Sequence, residues 1–405
     1  MPVTTSPSRR GFLRIFGGRT SSPGALNGAF LAARGLEAHL AEAIQEGRPP
    51  RPVLPPGVHE IRINSNENPL GPGRTALDAI VGKFPEAGRY PFNATPNDGD
   101  LAAAIAKKFS TKTANVVLGA GSQEILRSAV LAFTSPTHGL VAGAPTFENC
   151  PAIAKKLGHP IAAVKVDSAM RLDIEAMIAA ATGAGLVYFN NPNNPTGTVH
   201  GAKTVADFVE RVHKASPDTV ILIDEAYHDY VTDPSYQTAV PLALETPNVL
   251  VSRTFSKAYG MAGVRVGYGL GHADTMAKIG RMRMPYNVNV FGVAAAIASL
   301  QDPKHLEEES ARNTEVRAFT VKAFSDLGFT PADSQANFVF VDIERPAKDF
   351  REACAKAGVM VGRDFPPFEK THARVSIGTM DEMVRATAVF RDVLRPQTSS
   401  SAARK

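Results

Sequence analysis

From about residue 72 the chain alternates helical hydrophobic patterns with short apolar runs of the kind that form buried strands. In chain order these runs are Asn115–Leu118, Leu140–Ala142, Leu186–Asn190, Val220–Asp224, Val249–Ser252 and Val266–Leu270. Short apolar runs separated by helices favour a mainly parallel sheet with helices on both faces. The pattern therefore predicts a large α/β domain over residues 72–300.

After about residue 300 the pattern changes. A charged helical pattern over Leu306–Leu327 is followed by three short strand patterns, at Asn337–Val341, Val359–Val361 and Arg374–Ile377. A further strand pattern, His59–Ile63, precedes the large domain. We therefore expect a smaller α+β domain built from residues 58–71 and 301–395, followed by a disordered tail over residues 396–405.

The first 57 residues differ from the rest, and we interpret them as an N-terminal arm with a helical pattern over residues 25–46 and a proline-rich linker over residues 47–57. The segment Ser8–Arg14 resembles a twin-arginine export signal. Arg14 and Gly17 interrupt the apolar stretch that such a signal needs. The sequence leaves two locations open, the periplasm through twin-arginine export and the cytoplasm with a basic arm.

Composition excludes several classes of protein. Of the 405 residues, 44% are hydrophobic and 20% charged, and the net charge is +5, which is ordinary for a globular protein. No basic stripe with interleaved aromatic residues occurs, so nucleic-acid binding is not expected. The two cysteines are far apart and no Cys/His cluster occurs, so neither a disulfide framework nor a metal site is predicted. No apolar run reaches the length of a membrane span.

Polar residues follow five successive predicted strands, at the point where each strand ends. In open α/β sheets, ligands bind beyond the carboxyl ends of the strands. The segments at these ends are Gly119–Glu124, Pro145–Phe147, Asn190–Gly197, Asp224–Tyr227 and Arg253–Arg265. Together they offer an anion-binding loop, an aromatic ring, amides, an acid and a lysine.

The last of these segments contains Lys257, which follows Thr254 and Ser256 and precedes Arg265. A lysine held near hydroxyl groups and a second cation loses its proton readily and forms Schiff bases. The two hydroxyl groups and the guanidinium group are good ligands for a phosphate dianion. A Schiff-base lysine beside phosphate ligands is the arrangement that binds pyridoxal 5'-phosphate (PLP).

Each segment also fits a structural role when it is considered alone. Lys257 fits a surface lysine, Ser122 with Gln123 fits an ordinary helix start, Phe147 fits a core residue, and Asp224 fits a helix cap. The turn Asn191–Gly197, with two Asn-Pro steps, is harder to explain by structure alone. The occurrence of all five segments in this order favours a site.

The motifs of one protein family stand in order along the chain: Asn66–Pro69, Arg89–Pro91, Gly119–Glu124, Asn191–Gly197, Asp224–Tyr227, Thr254–Ala258 and Ala373–Thr379. On these motifs, which lie within about residues 58–390, the chain resembles a fold-type I, PLP-dependent aminotransferase of class I/II. It is most similar to the histidinol-phosphate aminotransferase group. The resemblance implies a large PLP-binding domain with a mainly parallel sheet of the seven-stranded type, plus a smaller α+β domain.

The resemblance also implies the roles of the catalytic and cofactor-binding residues. Lys257 attaches the cofactor and moves the proton of the substrate α-carbon, Asp224 pairs with the pyridine nitrogen, and Tyr227 binds the phenolate oxygen. Asn194 shares the phenolate oxygen with Tyr227, and Phe147 stacks on the ring. The implied phosphate ligands are Ser122, Gln123, Thr254, Ser256, Arg265 and, from the neighbouring subunit of a homodimer, Tyr90.

For the substrate, the resemblance implies that Arg374 binds the α-carboxylate with two hydrogen bonds, as guanidinium geometry favours. Arg363 stands where the histidinol-phosphate group uses an arginine for the substrate phosphate, and Asn68 belongs to the implied substrate-binding residues. The alternative for Arg363 is a surface ion pair with Asp364 or Glu369, which contributes little.

The resemblance implies a transaminase that moves an amino group between an amino acid, with glutamate as the expected donor, and a keto partner. A PLP-dependent decarboxylase or lyase of the threonine-phosphate decarboxylase type is the alternative on the same scaffold. A third interpretation is a non-catalytic PLP-binding regulator. It is disfavoured because the 57 residues before the family motifs contain no two-helix DNA-reading pattern.

Overall fold

The computed structural model describes residues 60–91 and 99–395. The predicted N-terminal arm with its twin-arginine-like segment, the first residue of the predicted strand His59–Ile63, and the predicted tail 396–405 lie outside the described residues. Within the described residues, no helix is long and apolar enough to cross a membrane.

Eleven strands form three sheets in the described part of the chain. In chain order they are β1 Ile61–Ile63, β2 Val116–Gly119, β3 Leu140–Ala144, β4 Ile161–Lys165, β5 Leu186–Asn190, β6 Val220–Asp224, β7 Val249–Thr254, β8 Gly267–Gly271, β9 Phe338–Asp342, β10 Val359–Val361 and β11 His372–Ser376.

Seven of these strands form the large sheet, in the order β2-β8-β7-β6-β5-β3-β4. Neighbouring strands are parallel except that β8 runs antiparallel to both β2 and β7. The prediction of a mainly parallel seven-stranded sheet is therefore confirmed. The carboxyl ends of β5, β6 and β7 lie side by side, since Asn190 pairs with Asp224 and Asp224 pairs with Ser252.

Twelve α-helices surround the sheets within the same residues. In chain order they are α1 Arg74–Gly82, α2 Gly99–Lys108, α3 Ser122–Phe133, α4 Asn149–Leu157, α5 Ile174–Ala181, α6 Ala202–Ala215, α7 Val240–Glu245, α8 Ala273–Gly280, α9 Val290–Leu300, α10 Pro303–Asp326, α11 Ala347–Lys356 and α12 Met380–Leu394.

The central strands are buried on both faces. Successive side chains of a strand point to opposite faces, and β5 accordingly contributes Val187 and Phe189 to one apolar cluster, and Leu186 and Tyr188 to another. The residues of β6 alternate between the same two clusters. A strand with this pattern has no solvated face, so a polar group within it or at its end requires a partner inside the protein.

A separate apolar cluster brings together the start and the end of the described chain. In it β1 pairs in parallel with β10, and β9 pairs antiparallel with β11. Ile61 and Ile63 of β1 pack in this cluster with residues of α10, such as Phe324, and of α12, such as Phe390. This cluster contains the segments that were expected to form the smaller domain, although the exact domain boundaries stay a prediction.

The sequence pattern missed β4. This strand lies at the edge of the large sheet and pairs only with β3 within the described residues. None of its five residues is buried, and two of them are alanines. Its apolar run Ile161–Val164 is half alanine, a residue that is depleted in strands, so the strand pattern is weak.

Candidate active site

A cavity of 420 Å³ opens at the carboxyl ends of β5, β6 and β7. Twelve of the predicted site residues line it: Ser122, Gln123, Phe147, Asn194, Asp224, Tyr227, Thr254, Ser256, Lys257, Arg265, Arg363 and Arg374. The remaining lining residues come mainly from the segment Asn64–Glu67, which follows β1. The structure thus brings together residues from five strand ends and from both ends of the described chain.

Lys257 lies in the turn after β7. Its Nζ donates to the backbone carbonyl oxygen of Asn66 over 2.9 Å and lies 5.5 Å from the ring centroid of Tyr227. Burial lowers the pKa of Lys257 to about 8, and the guanidinium groups of Arg374 and Arg265 lower it as well. Burial and like charge both disfavour the ammonium form. Lys257 is therefore suited to act as a nucleophilic amine near neutral pH.

Asp224 ends β6 and is 2% exposed. One carboxylate oxygen, Oδ2, accepts a hydrogen bond of 2.8 Å from the hydroxyl of Tyr188. The other oxygen, Oδ1, is buried and has no hydrogen-bond partner. Burial raises the pKa of Asp224 to about 6, against the hydrogen bond from Tyr188, which lowers it. A buried acceptor without a partner is costly, so Oδ1 provides a ready acceptor for a cationic N–H group.

The hydroxyl of Tyr227 lies where two amides converge. Asn66 donates to it over 3.0 Å and Asn194 over 3.3 Å. Burial raises the pKa of Tyr227, and the charge of Arg374 opposes that rise. The carbonyl oxygen of Asn194 in turn accepts a hydrogen bond of 2.8 Å from Arg374. These contacts fix the phenol as a hydrogen-bond donor that faces the cavity.

The start of α3 forms an anion-binding cradle. Its N-cap residue is Gly121, with φ 78°, and no side chain caps the helix. A Cβ atom at Gly121 would collide with the guanidinium group of Arg265. Arg265 itself donates to the hydroxyl of Ser256 over 3.3 Å. Free backbone N–H groups at a helix start, a guanidinium group and a hydroxyl group together suit a phosphate.

Arg374 lies on β11 and is 5% exposed. It donates to the backbone carbonyl oxygen of Asn64 over 2.9 Å in addition to its bond with Asn194, and its Nε has no partner. Burial lowers the pKa of Arg374 to about 10. Because a buried guanidinium group with an unused donor is costly, this side chain favours the binding of an anion.

Arg363 lies in the turn after β10 and is half-exposed at the mouth of the cavity. Its guanidinium group contacts the carboxylate of Glu148. The expected alternatives, Asp364 and Glu369, are not its partners. Asp364 instead pairs with Arg351, and the partner of Arg363 lies 215 positions away in the sequence.

Two predicted site residues do not line the cavity. Asn68 donates to the backbone carbonyl oxygen of Ala258 over 3.1 Å and accepts from the backbone N–H of Leu70 over 2.9 Å. Its amide therefore supports the loop beside Lys257 and does not contact the cavity. Tyr90 is 70% exposed, with its ring 5.1 Å from that of Tyr286.

Three residues received no individual role from the sequence, namely Asn66, Tyr188 and Glu148. Asn66 links the site to β11, since its backbone N–H donates to the hydroxyl of Ser376 over 2.9 Å. Tyr188 had a detectable signal, because a phenol inside an otherwise apolar strand needs a partner and the next strand ends in Asp224. Glu148 had none, because its partner Arg363 lies 215 positions away.

The residues present fit PLP. The unpartnered Oδ1 of Asp224 matches a protonated ring nitrogen, the cradle at Gly121 and Arg265 matches a phosphate, and Lys257 supplies the amine. The half-buried ring of Phe147 lines the same cavity.

The sequence model described as "Aminotransferase class I and II" matches residues 58–390. The chain belongs to this family. It is 37% identical over 341 residues to histidinol-phosphate aminotransferase 1 of Nitrosococcus oceani, which covers 82% of this chain and 89% of that protein. It is 35% identical over 342 residues to the aromatic amino acid aminotransferase of Thermobifida fusca, covering 84% of this chain and 92% of that protein.

Among solved structures, the aminotransferase is similar to the histidinol-phosphate aminotransferase of Sinorhizobium meliloti in complex with pyridoxal 5'-phosphate. The TM-score is 0.75 at 29% identity, and the match covers 83% of this chain and 91% of that chain. The family, the fold and the cofactor that the sequence predicted are therefore confirmed. The protein is a PLP-dependent transaminase, and the alternative of a decarboxylase or lyase is not supported.

Proposed function

We propose that this aminotransferase is a histidinol-phosphate transaminase that uses glutamate as its amino partner. The observation that carries the proposal is the pair of guanidinium groups, Arg374 and Arg363, that line one cavity together with Lys257. Arg374 is buried with an unused N–H donor, and Arg363 lies at the mouth. Two guanidinium groups bind a phosphate dianion well, and Arg374 alone can bind the α-carboxylate of glutamate. Relatives named for histidinol phosphate support the same substrate.

In this proposal each residue of the site has a separate role. Bound PLP supplies a ring that withdraws electrons from the substrate α-carbon. Lys257 would hold the cofactor and then move the proton of the α-carbon; the burial that lowers the pKa of its amine favours the neutral form that both roles need. Asp224 keeps the ring nitrogen protonated, and Tyr227 donates its hydrogen bond to the phenolate oxygen. The backbone at Ser122 and Gln123 holds the phosphate, together with the side chains of Thr254, Ser256 and Arg265.

A half-reaction screen tests the substrate. The purified PLP form is mixed with histidinol phosphate, glutamate or other amino acids, and loss of the PLP absorbance is followed in single turnovers. We expect histidinol phosphate and glutamate to react, and each product keto compound to restore the starting spectrum. Failure of histidinol phosphate to react would refute the substrate and would leave the aminotransferase activity standing.

The variant Arg363→Ala locates the phosphate contact. We expect it to lower the second-order rate constant for histidinol phosphate far more than that for glutamate, by roughly tenfold or more, because a charged hydrogen bond is lost. Arg391→Ala is the matched control, since Arg391 is an exposed arginine of α12 outside the cavity. Equal losses with both substrates would show that Arg363 does not recognise the phosphate.

We also propose a homodimer in which Tyr90 contacts the cofactor phosphate of the partner subunit. Its support is the exposed pair Tyr90 and Tyr286, whose rings lie 5.1 Å apart, with the 63% exposed side chain of Met284 two positions before Tyr286. Contiguous apolar patches on soluble proteins mark interaction sites. Sedimentation analysis of the holoenzyme tests the dimer, and Met284→Lys is expected to shift it toward the monomer. A wild-type monomer at micromolar concentration would contradict the proposal.

A further inference from the structure

The ion pair between Arg363 and Glu148 joins the segment before α4 to the segment after β10. Glu148 precedes α4 and immediately follows Phe147, whereas Arg363 follows β10. The side chains are 49% and 45% exposed, so the ion pair is accessible to solvent. Arg363 lines the cavity and Glu148 does not. The carboxylate therefore approaches the guanidinium group from outside the site.

The ring of Phe365 holds the two arginines of the cavity near each other. It is 1% exposed, and the guanidinium carbons of Arg363 and Arg374 lie 4.3 Å and 4.6 Å from its centroid. Cations at this distance from an aromatic ring are attracted to it. The ring thereby fixes Arg363 at the mouth, whether or not Glu148 stays bound to it.

Two neighbouring cations repel each other, and Glu148 reduces that repulsion. Burial is the main cause of the lowered pKa of Arg374; the charge of Arg363 lowers that pKa further, whereas the charge of Glu148 raises it. The nearer acid in the sequence, Asp364, is already paired with Arg351. Among the described residues, Glu148 is thus the carboxylate that balances the charge of Arg363.

We propose that Glu148 is a displaceable counter-ion of Arg363 that sets the range of side chains accepted at the distal end of the site. A substrate with a distal anion displaces Glu148 and takes over the guanidinium group. A substrate with an uncharged side chain leaves the ion pair in place, so that no unpaired cation faces its apolar group. The inference rests on the proposed role of Arg363 as the ligand of the substrate's distal anion.

The test compares wild-type holoenzyme with Glu148→Gln, which keeps the shape of the side chain and removes its charge. Inorganic phosphate is titrated calorimetrically into the PLP-loaded enzyme, in which the cofactor already fills the phosphate cradle of α3. We expect the variant to bind phosphate roughly two- to fivefold more tightly, as the loss of a half-exposed competing ion pair predicts. We expect the half-reaction with phenylalanine, which has no distal anion, to slow.

Two controls separate this effect from a general change in charge. Glu352→Gln removes a carboxylate that is 57% exposed on α11, and it should leave phosphate affinity unchanged. In the double variant Glu148→Gln with Arg363→Ala the gain in phosphate affinity should disappear, because Glu148 affects phosphate binding through Arg363.

The outcomes distinguish this inference from the proposed substrate. If Glu148→Gln leaves phosphate affinity unchanged while Arg363→Ala still loses histidinol phosphate selectively, the counter-ion is refuted and the substrate stands. If the double variant keeps the gain, Glu148 acts elsewhere and the inference is also refuted. If phosphate binds to neither enzyme while histidinol phosphate still reacts, the counter-ion is refuted and the substrate stands.

Discussion

Asp224 is the residue whose replacement gives the sharpest quantitative test of the site. In the protein without cofactor, burial raises its pKa from 3.8 to about 6. At neutral pH the carboxylate is charged inside the folded protein, with one oxygen unpartnered. A shift of this size corresponds to about 3 kcal/mol of free energy that opposes folding. Asp224→Asn removes the charge, keeps the shape, and should stabilise the cofactor-free protein by up to that amount at about pH 7.5.

The size of the stability difference depends on pH in a defined way. Between pH values of about 6 and about 4, the folded wild type takes up a proton that the unfolded chain does not yet bind. Its stability relative to Asp224→Asn therefore rises as the pH falls through this range, and the difference between the two proteins should disappear near the lower end. Adding PLP should reverse the order at neutral pH, because the wild-type carboxylate then gains a cationic partner.

Urea unfolding of cofactor-free wild type and variant, measured at several pH values, checks this reasoning. Asp218→Asn provides the control, since Asp218 is exposed. Turnover should be lost in Asp224→Asn to a greater degree than PLP affinity, because the phosphate contacts are unchanged. Equal stability of the two proteins at about pH 7.5 would refute the account, and so would a difference that does not shrink on acidification.

Two further predictions concern the amine and the phosphate cradle. Lys257→Ala should fold and lose turnover, and borohydride reduction of the wild-type holoenzyme should label only the peptide that contains Lys257; a labelled peptide from elsewhere would contradict the assignment. Gly121→Ala should weaken PLP binding roughly tenfold or more, because its φ of 78° strains a residue with a Cβ atom and that atom would displace Arg265. Gly263→Ala, with open space around its Cβ position, should leave the PLP dissociation constant unchanged in the same fluorescence titration.

The chemistry at the strand ends was predictable because it is local in sequence. The strand over Val220–Ile223 is continuously apolar, and the acid that follows it marks both the end of the strand and a group that needs a partner. The same reasoning applies to Lys257 after β7. These residues lie together because the carboxyl ends of parallel strands meet along one edge of the sheet.

The remaining features depend on contacts that are distant in sequence. Glu148 and Arg363, which form an ion pair, are 215 positions apart in the sequence, and no property of either segment predicts their contact. Asn68 belongs to the same motif as Asn66, yet its amide turns to the backbone of Ala258 while Asn66 reaches Tyr227. Which asparagine faces the cavity depends on the path of the backbone after β1, and that path depends on the pairing of β1 with β10.

The long separation between Asn66 and Ser376 has a consequence for the order in which the enzyme matures on the ribosome. The hydrogen bond between them joins positions 310 residues apart. Asn66 also accepts a hydrogen bond from Lys257 and donates one to Tyr227. When the strands of the large sheet have left the ribosome, β10 and β11 have not yet been made. The nascent chain therefore still lacks Arg374 and the residue that supports Asn66. Domains generally fold as units during synthesis, starting from the N-terminal side. The sheet can therefore form early, whereas the complete site, with both substrate arginines, assembles only when translation is nearly finished.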